Sequence, residues 1–271
     1  MVDVPAALAH LRAHGWAPLG RVLDVERARA LAARADEIML GQAPRDGLFF
    51  QADSPSGSYD DLEFGAGWIG PSLSYRKVEK LERDPLFAAW IGDPVCEAIA
   101  RAWIDGEART ASPGEGRSPP IDVSIYRACL FAKAAAGGTH LPWHQDGGIF
   151  WGVDRAPTLQ MWTALDDVPV ESGCVEVLPG SHLAGLARPS GGNIPREQVE
   201  AADAEAKALP LPARVGDAYL IHNHVWHRSG VNLTGRPRRA LTVCYMDAAT
   251  RCLRKKHAPR TFFRPFPSPT P

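Results

Sequence analysis

The chain has 271 residues, with 30 basic and 31 acidic side chains and a formal net charge of -1. Its length suits one large β-rich domain or two small ones, and the balanced charge argues against a nucleic-acid or anionic-membrane binder. Its five cysteines are scattered and form no CxxC pair, which excludes a zinc ribbon and gives no sign of a disulfide framework.

The N-terminus shows no basic segment followed by an apolar core, so no signal peptide is predicted. No apolar run approaches the roughly 18 residues that a membrane-spanning helix needs. We therefore expect a cytoplasmic protein with no membrane, nucleic-acid or protein partner evident.

Residues 1–104 predict a mainly helical layer. In "LDVERARALAARADEIMLG", Asp24 is a candidate N-cap, apolar residues follow at helical spacing, and Gly41 stands at the end. "DPLFAAWIG" and "DPVCEAIARAWI" each begin with a capping Asp and a proline, which predicts helices from about residues 85 and 94. The polar Gly/Pro stretch 105–120 predicts a loop.

Residues 121–250 predict the β core, with an insert over 183–208. The β-prone runs "IDVSIYRACLFA", "TLQMWTALD", "CVEVLP", "GDAYLIH" and "RALTVCYM" are separated by turn residues, which favours a sandwich or jelly roll. Within the insert, "PREQVEAADAEAKAL" predicts a surface helix, whereas the tail "FFRPFPSPTP" is too proline-rich for regular structure. The whole chain, 1–271, is interpreted as one domain.

The stretch "LPWHQDGGIF" holds a candidate metal-binding pair. His144 and Asp146 are two residues apart and therefore project from the same face of an extended chain. Gly147 and Gly148 follow, and glycine lets a backbone turn closely past a ligand. An HxD pair alone is weak, because a solvated loop pair is the ordinary explanation.

Candidates for a third ligand lie in "GDAYLIHNHVWHRSGVNLTGRPRRALTV". His222 and His224 share a strand face and could form a zinc pair, while His227 is the alternative partner of the HxD pair. We favour His227, because Ser229 and a later arginine, Arg238, follow it. Two histidines and one carboxylate are typical of non-haem Fe(II) oxygenases, and a guanidinium matches the carboxylate of a dicarboxylate cosubstrate.

The sequence resembles the phytanoyl-CoA dioxygenase family of Fe(II)/2-oxoglutarate oxygenases. The matching segments are "PWHQD", "WTALDDVPVESGCVEVLPGSH", "GDAYLIHNHVWHRSGVNLTGRPRRAL" and, more loosely, "YRKVEKLERDPLF", from about residue 75 to 247. The resemblance implies a double-stranded β-helix (jelly roll, cupin-like) core flanked by N-terminal helices, and it implies Fe(II), 2-oxoglutarate and O2 as metal and cosubstrates.

Residue by residue, the resemblance implies His144, Asp146 and His227 as catalytic iron ligands. It implies Arg238, rather than Arg236 or Arg239, as the partner of the distal 2-oxoglutarate carboxylate. The remaining expected pocket residues are Ser229, Trp162, Gln145, Lys77 and, facing the same pocket, Cys129 or Tyr126. We expect His182, His222 and His224 to be structural, His140 to lie at a pocket edge or loop, and Asn232 to fix a turn.

The implied reaction is hydroxylation of an unactivated C–H bond with release of succinate and CO2. The carboxylate Asp146 favours hydroxylation, because relatives that halogenate lack it, although desaturation or ring closure stays open. A small specialised-metabolite or lipid-like substrate would enter near 49–70, 147–157 and 183–208, where Phe64, Trp68, Phe150 and Trp151 are aromatic candidates. The alternatives are a non-oxidative cupin-like isomerase or lyase and a non-catalytic binding protein.

Overall fold

The computed structural model describes residues 2–111, 121–135, 137–255 and 260–268. Its helices are α1 Val4–His14, α2 Val25–Met39, α3 Pro85–Ile91, α4 Pro94–Ala111, α5 Arg196–Ala201 and α6 Ala204–Lys207. Its strands are β1 Trp16–Arg21, β2 Phe49–Ala52, β3 Tyr75–Glu79, β4 Val123–Lys133, β5 Leu141–Gln145, β6 Leu159–Ala164, β7 Val175–Leu178, β8 Gly192–Asn193, β9 Leu209–Leu211, β10 Asp217–His222, β11 Trp226–Ser229 and β12 Arg238–Asp247.

Two antiparallel sheets form the core. A seven-stranded sheet has the order β1-β10-β6-β12-β4-β3-β2, and a five-stranded sheet has the order β8-β5-β11-β7-β9. The predicted fold, mainly β with α and a jelly-roll core, is confirmed. No helix in the described part of the chain is both long and apolar enough to cross a membrane.

The seven-stranded sheet has two different faces. Its outer face packs on α1 to α4, and alternate residues such as Leu130, Met161 and Leu241 enter one large apolar core with the helices. Its inner face, which carries Trp162 and Ala240, faces the five-stranded sheet across a smaller apolar cluster. Because both faces are covered, the central strands are buried throughout rather than alternately.

The helix starts follow their capping residues. Asp24 accepts a hydrogen bond from the Arg27 amide at the start of α2, and Asp84 caps α3 in the same way. Gly41 lies two residues beyond the end of α2 with a φ of 72°. The predicted starts of α3 and α4 are confirmed at Pro85 and Pro94.

Two predictions about secondary structure were wrong, and a third omitted three strands. The predicted 105–120 loop is helical up to Ala111, since α4 continues through Gly106, and 112–120 lie outside the described residues. The region 1–104 is not only helical, because β1, β2 and β3 join the large sheet. The predicted 195–209 helix is two short helices, divided at Asp203, which has a φ of 53°.

The strands missed in the first third have partners that are distant in sequence. β1 pairs with β10, about two hundred residues later, and β3 pairs with β4. Such short segments gain strand structure from their neighbours rather than from their own propensity. The described part of the proline-rich tail forms neither helix nor strand, as expected.

Candidate active site

A cavity of about 180 Å³ lies between the two sheets. The five-stranded sheet contributes His144 from β5 and His227 from β11, and Asp146 follows β5 directly. The three residues expected to bind iron therefore line one cavity. They meet because β5 and β11 are antiparallel neighbours in which His144 and His227 are register partners.

The two histidines are held in the same way. The Nδ1 atom of His144 lies 2.9 Å from the Pro142 carbonyl oxygen, and Nδ1 of His227 lies 2.9 Å from the Val225 carbonyl oxygen. A carbonyl only accepts, so Nδ1 carries the hydrogen in both rings and Nε2 presents its lone pair. This arrangement fixes the tautomer that a metal ligand needs. Burial and the neighbouring His227 lower the pKa of His144 to about 3, so it is neutral at physiological pH.

Asp146 is held by the opposite sheet. Arg127 on β4 and Gln160 on β6 each donate a hydrogen bond to its Oδ2 atom at 2.8 Å. Burial opposes ionisation of the carboxyl group, but Arg127, the two histidines and the Gln160 hydrogen bond together outweigh it and keep the pKa of Asp146 below its usual value. The carboxylate is therefore charged and oriented toward the histidines.

The donor set fits a ferrous ion after a small movement. His227 Nε2 and Asp146 Oδ2 are 3.9 Å apart, whereas adjacent ligands of an octahedral ion are about 3 Å apart. Accordingly, no three His, Cys, Asp or Glu side chains form a ready-made metal cluster within the described ranges. The distance between these two donor atoms would have to shorten by about 1 Å, which small side-chain movements around a bound ion would achieve.

Arg238 is a buried cation that lacks an acidic partner. It is 3% exposed, lines the same cavity and donates only one hydrogen bond, from Nη2 to the Gly173 carbonyl oxygen at 2.8 Å. Its Nε–H has no acceptor, and no ion pair reaches it from any described residue. Burial lowers its pKa to about 10. A buried guanidinium in this state fits an anionic ligand.

The neighbouring arginines are not equivalent to Arg238. Arg236 is exposed in the turn before β12. Arg239 points to the outer face, where it forms ion pairs with Asp166 at 2.7 Å and Asp36 at 2.6 Å. Among the three, only Arg238 lines the cavity.

Several other expected residues also line the cavity. Ser229 on β11, Trp162 on β6 and Lys77 on β3 all contribute to its wall. Lys77 belongs to the region predicted to be mainly helical, but it lies in a strand, and its Nζ is paired with Glu79 at 2.5 Å.

Two expected residues do not line the cavity. Gln145 points to the opposite side of β5 from His144, where its amide bonds the backbone of Gly185, His224 and Ala187. It therefore anchors the 183–208 insert. Cys129 is fully buried on the inner face of β4 but is not a lining residue. Its alternative, Tyr126, instead stacks on Trp151 at a ring-centroid distance of 4.1 Å.

Other polar residues of the cavity were not found from the sequence. They are Arg76, Arg127, Lys133, Thr139, Gln160, Arg228 and Thr242. Lys133 is the register partner of Arg238, donates to the Thr139 carbonyl oxygen at 2.7 Å, and has its pKa lowered to about 6 by burial and by Arg238. The sequence does contain a signal for two of these residues. Arg127 and Lys133 are charged residues within an otherwise apolar β-prone run, and buried charges of this kind often mark a functional site.

His182, His222 and Asn232 have structural contacts. His182 Nε2 contacts the Arg12 carbonyl oxygen at 3.0 Å, and His222 accepts from the His224 amide. Asn232 is buried, with its amide donating to the backbone of Ala134 and Arg236, so it fixes a turn as expected. His140 is exposed in a loop.

The glycines after Asp146 allow a close approach between two chain segments. Gly148 has a φ of 78°, and a Cβ atom there would lie 2.3 Å from the Ser190 carbonyl carbon. Gly147 has a φ of 124°. The insert, not a ligand, is therefore what Gly148 accommodates.

The cavity entrance uses only part of the expected surface. Gln51, Tyr59 and Phe64, from the expected segment 49–70, line the cavity, and Phe64 is largely exposed. The segments 147–157 and 183–208 contribute no lining residue in the described chain. Phe150 points to solvent instead, and Trp68 packs against the helical core and Arg45.

The chain is similar to proteins of known family. The family model described as "Phytanoyl-CoA dioxygenase (PhyH)" matches residues 11–240. The mouse protein "Phytanoyl-CoA dioxygenase domain-containing protein 1" is 31% identical over 197 residues, which cover 69% of this chain and 62% of the mouse protein. The alignment thus spans somewhat less than two thirds of that relative.

Solved structures resemble the whole fold. One is the epimerase SnoN in complex with Fe3+, alpha ketoglutarate and nogalamycin RO (19% identity, 94% of this chain, 87% of that chain, TM-score 0.66). Another is EctD from S. alaskensis with 2-oxoglutarate and 5-hydroxyectoine (17% identity, 90% of this chain, 76% of that chain, TM-score 0.67). At these sequence identities, the similarity shows only a shared fold.

Proposed function

The chain belongs to the phytanoyl-CoA dioxygenase family, and on that premise we propose that it is an Fe(II)- and 2-oxoglutarate-dependent dioxygenase. It hydroxylates an unactivated C–H bond of a small molecule and releases succinate and CO2. The observation that carries the proposal is Arg238, a buried guanidinium without an acidic partner, in the same cavity as His144, Asp146 and His227. A metal-dependent isomerase or lyase of the cupin type would need no such cation.

The two histidines and Asp146 would hold the iron. When bound, the iron together with 2-oxoglutarate and O2 supplies the oxidising power of the reaction. The protein contributes orientation, because the Pro142 and Val225 carbonyls fix both imidazole rings and Arg127 and Gln160 fix Asp146. Arg127 also keeps Asp146 ionised, so no proton has to leave before the metal binds.

Arg238 would bind the distal carboxylate of 2-oxoglutarate in a bidentate manner. Ser229 lies on the facing strand and offers a hydroxyl group, and Lys133, the register partner of Arg238, adds a second cation. Trp162 forms part of the wall beside them, so the carboxylate is shielded from water and these charge-assisted bonds are strengthened.

The first test is an anaerobic titration of Fe(II) into metal-free protein, with and without 2-oxoglutarate, followed by visible absorption. We expect a metal-to-ligand charge-transfer band that requires both components. Asp146→Ala abolishes the band, whereas the exposed Asp167→Ala retains it as the matched control. Iron binding without the band would favour the non-oxidative cupin-like alternative.

A second test addresses turnover. Under air, the wild-type protein is expected to release succinate from 2-oxoglutarate, and more of it with a substrate than without. Succinate at background level over a broad panel, despite a normal charge-transfer band, would indicate a binding protein that retains the site without turnover.

A further inference from the structure

The cavity contains a second buried arginine that the reaction above does not use. We propose that the substrate carries an anionic group, a carboxylate or a phosphate, that pairs with Arg76. This inference rests on the proposed function and specifies the substrate class of the same site.

A β-bulge directs Arg76 into the cavity. Gln51 on β2 pairs with Lys77, and Ala52 pairs with Tyr75, so Arg76 has no partner on β2. The extra residue changes the alternation of the strand, because Tyr75 and Val78 enter the outer core while Arg76 and Lys77 both line the cavity. Bulges commonly redirect a side chain next to an active site.

The cavity wall is strongly cationic. Asp146 is its only carboxylate among the described residues, against six lysine and arginine side chains, namely Arg76, Lys77, Arg127, Lys133, Arg228 and Arg238. Three of the six have acidic partners at short distance. Lys77 pairs with Glu79, Arg127 with Asp146, and Arg228 with Glu176.

The proposed cosubstrate accounts for two more of these cations. Arg238 and Lys133 are register partners and would share one carboxylate of 2-oxoglutarate, while its other end and Asp146 would balance the charge of the iron. Arg76 is then the remaining cation without a counterion. An anionic group of the substrate would supply the counterion that Arg76 lacks.

Arg76 is a buried cation without an acidic partner among the described residues. It is 9% exposed, and its side-chain hydrogen bond goes to a neutral group, the Gln51 Oε1 atom at 2.6 Å. No ion pair reaches it from the described residues. Burying an unpaired charge costs several kcal/mol unless a partner compensates it. Burial also lowers the pKa of Arg76.

One nearby carboxylate influences Arg76 but forms no ion pair with it. Asp53 contributes to the electrostatic environment of Arg76. Its Oδ1 atom accepts hydrogen bonds from both the amide and the hydroxyl of Thr139, each at 2.9 Å, whereas its buried Oδ2 atom has no hydrogen-bond partner among the described residues. Tyr59 and Phe64 line the same cavity at its open side. An anion that enters past them would reach Arg76.

The first experiment measures the thermal midpoint of unfolding without ligands in three proteins: wild type, Arg76→Met and Arg239→Met. Arg239 is the matched control, because it is a largely buried arginine with two carboxylate partners. Arg76→Met removes an uncompensated charge and is expected to leave the midpoint unchanged or raise it, whereas Arg239→Met lowers it. A midpoint of Arg76→Met as low as that of Arg239→Met would overturn the inference.

The second experiment adds inorganic phosphate or acetate to the anaerobic protein with Fe(II) and saturating 2-oxoglutarate, and again follows the midpoint. We expect one of these anions to raise the midpoint of the wild type and of Arg239→Met, with at least a tenfold weaker apparent affinity in Arg76→Met. A response to phosphate alone identifies a phosphate-bearing substrate, and a response to acetate identifies a carboxylate-bearing one.

Two further results would overturn the inference. One is an anion response that is absent from the wild type or equal in Arg76→Met. The other is a loss of 2-oxoglutarate affinity in Arg76→Met as large as in Arg238→Met, which would place Arg76 in the cosubstrate site. Failure of the proposed function itself is distinguishable, because the charge-transfer band of the wild type would then be missing.

Discussion

The two faces of the seven-stranded sheet are both buried, yet they are built differently. The outer face packs against four helices through side chains such as Leu130, Leu241 and Val243, and its charged contact at Arg239 is fully paired. The inner face carries Arg127, Lys133 and Arg238, and the last two have no acidic partner among the described residues. The outer face is a stabilising core, whereas the inner face retains unsatisfied charge that suits ligand binding.

The largest expected effect concerns a ligand of the metal. His227→Ala is expected to abolish Fe(II) binding while the protein stays folded, because the substitution removes one of three donors in an otherwise intact wall. His224→Ala, which removes a nearby imidazole outside the cavity, retains Fe(II) binding as the control. Anaerobic equilibrium dialysis with metal analysis measures both, and full occupancy in His227→Ala would show that a different histidine is the ligand.

The outer face is tested by Leu241→Ala. This fully buried side chain belongs to the core shared with the helices, so its truncation should reduce the free energy of unfolding by about 2–5 kcal/mol. The affinity for 2-oxoglutarate should stay unchanged in the folded protein. Chemical denaturation and isothermal titration calorimetry measure the two quantities, and a parallel loss of affinity would mean that the two faces are not independent.

Arg238 and Arg239 sharpen the comparison because they are adjacent and point to opposite faces. Arg238→Met should weaken 2-oxoglutarate binding by about 100-fold or more, with the thermal midpoint unchanged or raised. Arg239→Met should leave this affinity intact and reduce the free energy of unfolding by about 2–3 kcal/mol. The loss is smaller than for a fully buried pair, because Asp36 is a third exposed.

Chemical denaturation and isothermal titration calorimetry of both arginine variants test this prediction. If both variants lost 2-oxoglutarate affinity, or both lost stability equally, the assignment of one arginine to a ligand and the other to the fold would be wrong.

The smallest expected effect is a pH dependence at Lys133. Its pKa of about 6 means that the amine is neutral at higher pH until a dianionic ligand raises that pKa. Binding then takes up a proton, so 2-oxoglutarate affinity should fall as pH rises above about 6, by about tenfold in total for a rise of about one unit in the pKa of Lys133. Below about pH 6 the amine is already charged and this dependence vanishes.

Calorimetric titrations across that range, with the metal site saturated, check the sign. Lys133→Met should have a flatter pH profile and a weaker affinity at the acidic end. A wild-type profile that is already flat would exclude Lys133 from the cosubstrate site.

Local signals in the sequence predicted much of this protein. Capping residues located α2, α3 and α4, and the runs of β-prone residues located the five strands that carry most of the core. Two local motifs identified the proposed ligands. One is the HxD pair, and the other is His227 with its family-like spacing to Arg238. Arg238 was separated from Arg239 by that spacing, and strand alternation explains why the two point to opposite faces.

Only the tertiary structure decided the rest. Pairing with distant strands makes β1, β2 and β3 extended, and a bulge that no local pattern reveals turns Arg76 inward. Lys133 meets Arg238, and Arg127 meets Asp146, because separate strands bring them together. Whether a buried charge such as Arg76 or Arg238 has a partner depends on all the elements that pack around it. The expectation that the cavity binds anionic ligands therefore follows from the tertiary packing and not from the sequence alone.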